Sequence, residues 1–242
     1  MNRSGKPVFI TGCSSNHWGE QKRMIKSVQD SFPDQKLIFY DLGLDSSKIK
    51  ELKSFCNVEY RPFHFQKYPK YVKNLFEYRW KPLIIAVFEA LKCEKSQENC
   101  PDSPIILPAV TAHGVWSTAN PLLFEYLPLD LRDLTVPTEH QAGFSYVTQS
   151  SVGLEILKWY VLCALEKDCM SPPGSQLYCK FGKSAFTVHA KCHRYDQAVI
   201  NTILANKFGY TDKRYGVPET PKFYRIDRSG RSGTPKKCSI PK

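Results

Sequence analysis

The strand-to-helix elbow at Pro7–Gln21, PVFITGCSSNHWGEQ, lacks the glycine-rich signatures that such turns use to cradle phosphates. It carries neither the Gly-x-Gly-x-x-Gly of a dinucleotide site nor the Gly-Lys-Ser of a phosphate loop. No apolar run reaches the roughly 18 residues that suggest a membrane helix. The best candidate, WYVLCAL (Trp159–Leu165), falls far short. No Cys-x-x-Cys pair occurs, which weakens a zinc reading. None of the eleven aspartates is separated from another by a single residue. The opening MNRSGKPVF runs straight into an apolar stretch, so no signal peptide is read there. The chain is expected either to be cytosolic or to have its anchor upstream in a longer form.

What is present describes a globular protein. The 242 residues suffice for one substantial core or two small ones, with 42% hydrophobic and 13% aromatic residues. The net charge of +11 favours an anionic partner: a nucleotide diphosphate, an acidic glycan, nucleic acid or a membrane surface. Part of that charge lies in RIDRSGRSGTPKK (Arg225–Lys237), whose composition predicts a basic flexible tail over 225–242. The remainder, 1–224, is read as a single domain.

Nine cysteines are many for a reducing compartment. Cys93 with Cys100, and Cys169 with Cys179, are spaced to close short loops, although connectivity is not readable from sequence. HAKCH places His189 and His193 four apart, which would share a helix face. A structural or exposed pair is the plainer reading of that spacing, ahead of a metal site.

The first half alternates strand and helix. PVFITG precedes a segment in which Met24, Ile25, Val28 and Phe32 recur at helical spacing, ended by Pro33-Asp34. KLIFYDLGL is a continuous apolar run of the kind buried in a parallel sheet. Ser46-Ser47 is expected to cap KIKELKSF, and NVEYRPFHF gives a third strand. This β-α-β-α-β order predicts a mostly parallel sheet flanked by helices on both faces. Ligands on such sheets bind at the carboxyl ends of the strands, where TGCSSNH and Asp41 fall. Further on, PLIIAVFEAL, NPLLFEYLP, VGLEILKWYVLCALEKD and HRYDQAVINTILANKFG are predicted helices, the last stopped at Gly209. PIILPAV and AGFSYVTQS are predicted strands.

Several phrases in order, FITGCSSNHWGE, IFYDLGL, FQKYPKYVKNL with EYRWKPLII, AGFSYVTQS, WYVLCALEKDCM and HRYDQAVIN, together resemble one family. It is an uncharacterised animal family, a domain of unknown function related to nucleotide-sugar glycosyltransferases of the GT-A fold. The resemblance spans Pro7 to Phe208. It implies a GT-A-like α/β domain, displayed in the Golgi lumen or secretory pathway behind an anchor absent from this chain. It further implies a nucleotide-diphosphate sugar as donor and a glycan or glycoprotein hydroxyl as acceptor, in preference to nucleic acid.

By that likeness Thr11, Gly12, Ser14 and Ser15 would face the base or ribose, and Asp41 would hold a ribose or base donor. The plainer reading of Asp41 is turn chemistry before Gly43. Asn16 and His17 read first as helix caps. Lys81 in RWKP would stabilise charge on the departing diphosphate, or else lay its stem over Trp80. Asp196 and Gln197 resemble an Asp-Gln pair that positions or deprotonates the acceptor. A carboxylate opening a helix is also favoured there by the macrodipole.

Mn or Mg is expected from the likeness, held by an Asp-x-Asp-like pair on a strand after the KPLII helix. The sequence instead passes from FEALKC through EKSQENCPDSP to IILPAVTAHGVW, so one central, acid-bearing strand is expected to be missing. A segment lost between Cys93 and Pro104 is the preferred explanation. The other is a metal-free site in which Lys81, Arg79 and Arg194 supply positive charge. The competing function is a non-catalytic basic protein that binds acidic glycan or nucleic acid through Lys67, Lys70 and Lys73. A third is a secreted, disulfide-braced structural protein.

Overall fold

The apolar run at the start of the chain forms β1 (Phe9–Cys13), followed by a 3-10 turn (Ser15–His17) and α1 (Trp18–Ser31). Next come β2 (Leu37–Asp41), α2 (Ser46–Lys53) and β3 (Val58–Pro62). This is a computed structural model, and it describes residues 8–87, 103–127, 135, 137–217 and 233–238. Its chain divides into two units, Met1–His64 with Ile226–Lys242, and Phe65–Arg225.

In the first unit the strands are parallel in the order β1-β2-β3. Cys13 lies opposite Asp41, and Asp41 opposite Pro62, so the three carboxyl ends share one edge. Central β2 is buried from Leu37 to Tyr40, as its uninterrupted apolar run requires. The face carrying Phe9, Leu37, Phe39 and Val58 packs on Trp18 and Ile25 of α1 and Leu52 of α2. Both crossovers advance the same way across the sheet, so right-handed connections put both helices on that one face. Trp18 stacks on Phe55, meets Phe39 edge-on, and donates its indole N–H to Glu51 at 2.9 Å. Asp45, not Ser46-Ser47, caps α2: its carboxylate accepts the Lys48 amide at 3.0 Å.

Residues 233–238, inside the stretch read as a tail, are held in this unit. Cys238 is disulfide-bonded to Cys56 and its amide donates to Ser54 O. Buried Gln29 accepts the Lys236 amide at 2.7 Å and donates to Cys56 O and Lys236 O. Gly233 is obligatory there, because a Cβ would stand 2.6 Å from the Arg23 Cα.

The second unit opens with three 3-10 turns (Phe65–Lys67, Lys70–Lys73, Leu75–Glu77) and α3 (Trp80–Val87). Predicted strand PIILPAV resolves into β4 (Ile105–Ile106) and the start of β5 (Val110–Gly114). Then follow α4 (Val115–Thr118), a 3-10 turn over Pro121–Glu125 where NPLLFEYLP predicts a helix, and β6 (Thr138–His140). Only Tyr146–Val147 of AGFSYVTQS is strand, β7. The remaining helices are α5 (Ser151–Leu165), α6 (Lys167–Met170) and α7 (Asp196–Lys207).

Here β4 pairs with β7 and β5 with β6, both antiparallel. The core is helical: Ile156, Tyr160 and Ala164 of α5 pack with Ala198, Val199 and Leu204 of α7. Ser150 caps α5 by accepting the Gly153 amide at 3.0 Å. Gly209, at φ +65°, follows α7 at its predicted stop.

Disulfides are present, but the expected Cys169–Cys179 bridge is not formed. Cys169 pairs with Cys163 and Cys179 with Cys192, at Cα separations of 5.1 and 4.8 Å. The chain reverses at Glu166 between α5 and α6 and brings Cys163 and Cys169 together, a reversal that loop spacing alone does not reveal. The proposed Cys93–Cys100 pair and the suspected missing strand lie outside the described residues. Cys13 keeps a free thiol, which burial pushes up to about 12.

Candidate functional site

At the carboxyl edge of the first unit's sheet, the elbow is knitted together by its own polar groups. Asp41 Oδ1 accepts the amides of Gly43 at 2.8 Å and Leu44 at 2.7 Å, while Oδ2 accepts the Tyr60 hydroxyl at 3.0 Å. Its turn chemistry is therefore realised in full. Ser15 Oγ accepts the Asp45 amide at 3.0 Å, and Ser15 N donates to Gly43 O. These bonds lash the β1 elbow to the β2 elbow. Ser14 Oγ donates to Asn16 Oδ1 at 2.6 Å, so Asn16 braces the turn and supplies no helix cap. His17, in the N-cap position, contacts Glu20 at 2.9 Å and makes no side-chain cap bond either. Thr11 turns toward α1, donating to Gln21 Oε1 at 3.2 Å. Gly12, next in β1, projects no side chain on the opposite face.

The remaining predicted site residues fall in the second unit and cluster at the start of α7. Lys81 Nζ lies 2.6 Å from Asp196 Oδ2 and donates to Ala142 O at 3.2 Å. Its ammonium also sits 4.6 Å above the Tyr78 ring and 5.8 Å from that of Trp80. Asp196 is buried, which raises its carboxyl above the usual range, and the Lys81 ammonium opposes that rise. Tyr195, just before it, holds φ 45° and ψ −119°, a conformation that is strained for a residue with a Cβ. Gln197 donates to Glu139 Oε2 at 2.7 Å. Arg194 donates its amide to Thr118 O at 3.1 Å, and its guanidinium favours the charged forms of both Glu139 and Asp196.

Arg79, weighed above as a counter-charge for diphosphate, has another task. It is buried, and its guanidinium donates to Ala164 O, Glu166 O and Lys167 O while Nε reaches Glu77. Those carbonyls end α5 and open α6, so Arg79 closes the junction of the two helices and its buried guanidinium is committed there.

Three groups that carry chemistry had no sequence signal. Glu139 is wholly buried; burial pushes its carboxyl up to about 8, against hydrogen bonds from Gln197 and Thr118. Its Oε1 has no hydrogen-bond partner among the described residues. His113 Nδ1 lies 3.2 Å from Glu139 Oε2, and burial, aided by Arg194, lowers its imidazole to about 4. Near pH 7 both groups are thus neutral. His140 is buried at 3.5 Å from Asp212 Oδ2, and neither ring nitrogen makes a hydrogen bond among the described residues. Gly216 fits only because it lacks a side chain: a Cβ would stand 2.1 Å from the His140 ring. Asn201 bonds both main-chain groups of His140, taking its amide and giving to its carbonyl.

His189 and His193 do not share a helix, since the chain there is irregular. Buried His193 accepts the Asn120 amide at Nδ1, and Nε2 faces Met170 O at 3.2 Å. No group of three or more His, Cys, Asp or Glu that could hold a metal occurs among the described residues. Asp41, Asp45 and Asp196 are each committed to amides, a hydroxyl or a lysine. The described residues thus do not fit the expected Mn or Mg.

Beside Lys81 a hollow of about 30 Å³ is lined by Ile85, Leu107, Ala142, Ser145 and Tyr160 among others. That is room for a water or two, far less than a sugar ring. Among the described residues no helix is long and apolar enough to cross a membrane.

Residues 1–86 match the model of a family described as a protein of unknown function (DUF1647). The match takes in the whole elbow, β1 to β3, and reaches Lys81. It supports the resemblance to an uncharacterised domain-of-unknown-function family. No curated protein and no solved structure matches the chain.

Proposed function

We propose that the chain binds a nucleotide-diphosphate sugar and transfers the sugar to a hydroxyl of a glycan or protein. One observation carries this reading. Three parallel strands end together at a polar elbow, the edge at which open α/β sheets take their ligands. Ser14, Ser15 and the main chain at Gly12 are the groups assigned to base and ribose. Thr11 holds α1 through Gln21, and Asp41 keeps the loop in shape. In the second unit, taken by itself, Asp196 fixes the Lys81 ammonium. Gln197, next in the chain, donates to Glu139. No step is routed through a divalent cation.

Three disulfides among the described residues fit a secreted or luminal protein, which agrees with a Golgi setting for such an enzyme. The test is thermal stability against a panel of uridine and guanosine diphosphate sugars, with and without Mn. A saturable rise in Tm, lost in the Ser14→Ala/Ser15→Ala double variant, is the expected result. Absence of any shift across the panel sinks the reading.

A second reading has its own observation. Lys67, Lys70 and Lys73 are all exposed on consecutive 3-10 turns, and Phe76 beside them is 71% exposed. Cations interleaved with an exposed ring suit an acidic glycan or nucleic acid bound without catalysis.

A further inference from the structure

Between α6 and α7, residues 171–195 form neither helix nor strand. Residues 169–195 carry no aspartate or glutamate, although the whole chain has 23. The cations in this stretch are Lys180, Lys183, Lys191 and Arg194. Arg194 is half-buried, and its guanidinium favours the charged forms of Glu139 and Asp196. The three lysines are exposed, and none forms an ion pair among the described residues. With no carboxylate in the loop to neutralise them, their charges reinforce one another.

Aromatic rings stand among these charges. Tyr178, two positions before Lys180, is 72% exposed, and Phe181, directly after it, is 46% exposed. Leu177 and Val188 are exposed as well. Apolar surface left in water within a polar rim marks a place that a partner covers. The loop is also stiff. The Cys179–Cys192 disulfide closes it, the Lys180 amide donates to Ala190 O at 2.7 Å, and the His193 amide donates to Gln176 O at 2.8 Å. Ala185 O accepts the Gly114 amide at 2.9 Å, which ties the loop to β5. Phe181 stacks on His113 at 5.2 Å, which sets the direction of its ring. A surface held in shape beforehand loses little entropy on binding.

We propose that residues 176–191 bind an acidic glycan, its sugar rings lying on Tyr178 and Phe181 and its sulfate or carboxylate groups on Lys180, Lys183 and Lys191. A sugar ring offers a face of C–H bonds that packs on an aromatic ring, and its anionic substituents project from the edge toward neighbouring ammonium groups. Rings alternating with cations also suit single-stranded nucleic acid. The disulfides favour the glycan, because they fit an oxidising compartment outside the cytosol and nucleus. The site goes beyond the transfer reading, since it needs no nucleotide sugar. It shares a ligand class with the second reading but uses none of Lys67, Lys70 and Lys73.

Calorimetry on the full chain tests this with chondroitin sulfate, the same polymer desulfated, neutral dextran and a single-stranded DNA oligonucleotide, each at rising salt. Saturable binding to one or both acidic glycans, and none to dextran, is the expected result. Lys180→Glu/Lys183→Glu should lower that affinity by about 10-fold or more and make its dependence on salt shallower. Tyr178→Ala should lower it by about 5-fold or more with the salt dependence unchanged, a loss that charge attraction alone does not produce. The altered side chains are exposed, so each variant should keep the wild-type Tm. A loss confined to Lys67→Glu/Lys70→Glu/Lys73→Glu overturns the loop site and keeps the second reading, whereas a loss confined to the loop variants does the reverse. No binding to either acidic glycan, wild-type affinity in either loop variant, or tighter binding of the oligonucleotide also overturns the proposal.

Discussion

Lys81 and Asp196, 115 positions apart in the chain, meet through a single 2.6 Å contact between Nζ and Oδ2. The contact is lopsided: the aspartate side chain is 4% exposed and the lysine 23%. Removing the lysine strands a carboxylate in the interior, whereas removing the charge on Asp196 leaves a lysine that can still reach water. Lys81→Met should therefore lower stability by about 3–5 kcal/mol, and Asp196→Asn by clearly less. Urea unfolding measures both, and equal losses would refute the asymmetry.

Glu139 gives stability a distinctive pH dependence. Its folded-state pKa is raised to about 8, so the folded chain holds this proton more tightly than the unfolded chain does. The associated stability is full at low pH and lost as pH climbs toward 8. His113, His140 and His193 are lowered from 6.5, so they contribute the opposite trend, one that is complete by about pH 6.5. From pH 6.5 to 8 the loss due to Glu139 stands alone among these groups, at a limiting slope of about 1.4 kcal/mol per pH unit. Relative to the wild type, Glu139→Gln should gain in Tm across that window. Parallel Tm curves for the two proteins would contradict the assignment.

The disulfide between Cys56 and Cys238 is expected to hold the C-terminal strap in place. Cys56→Ser/Cys238→Ser should lose about 2–5 kcal/mol and open Lys236 and Lys237 to trypsin. Calorimetry and timed digestion read the two effects. Cys13, by contrast, should resist thiol reagents until the protein unfolds, since burial both hides the thiol and disfavours the thiolate.

Changing Lys67, Lys70 and Lys73 together to glutamate should leave Tm almost unmoved, because all three side chains are exposed. If the second functional reading holds, affinity for an immobilised acidic polysaccharide falls, and its dependence on salt becomes shallower. Unchanged elution from such a column would remove that reading.

The first unit was the more legible in sequence. The unbroken run Leu37–Tyr40 announced a strand buried on both sides, and Met24, Ile25 and Val28 announced α1. Turn residues spoke as clearly: Asp41 before Gly43 does what its chemistry suggests. The second unit hid its logic, because its important neighbours are brought together by pairing between distant segments. Nothing in TAHG or in TEH marks His113 and Glu139 as partners, and only the β5–β6 pairing makes them so. Arg79 looked like a ligand for phosphate because its three carbonyl partners lie more than 80 positions away. The predicted tail read as solvent-facing from composition, yet the Gln29 side chain and Cys56 claim its described part.

Because Phe65–Arg225 lies between the two stretches that make up the first unit, synthesis and completion run in different orders. A ribosome translates the whole second unit before Cys238 emerges to meet Cys56, 182 positions behind it. The elbow-bearing sheet must wait, its strap still in the exit tunnel, while later-coded helices already have every residue they need. A premature stop just past Arg225 would thus spare the unit encoded in the middle of the message and leave the one encoded first without its clasp.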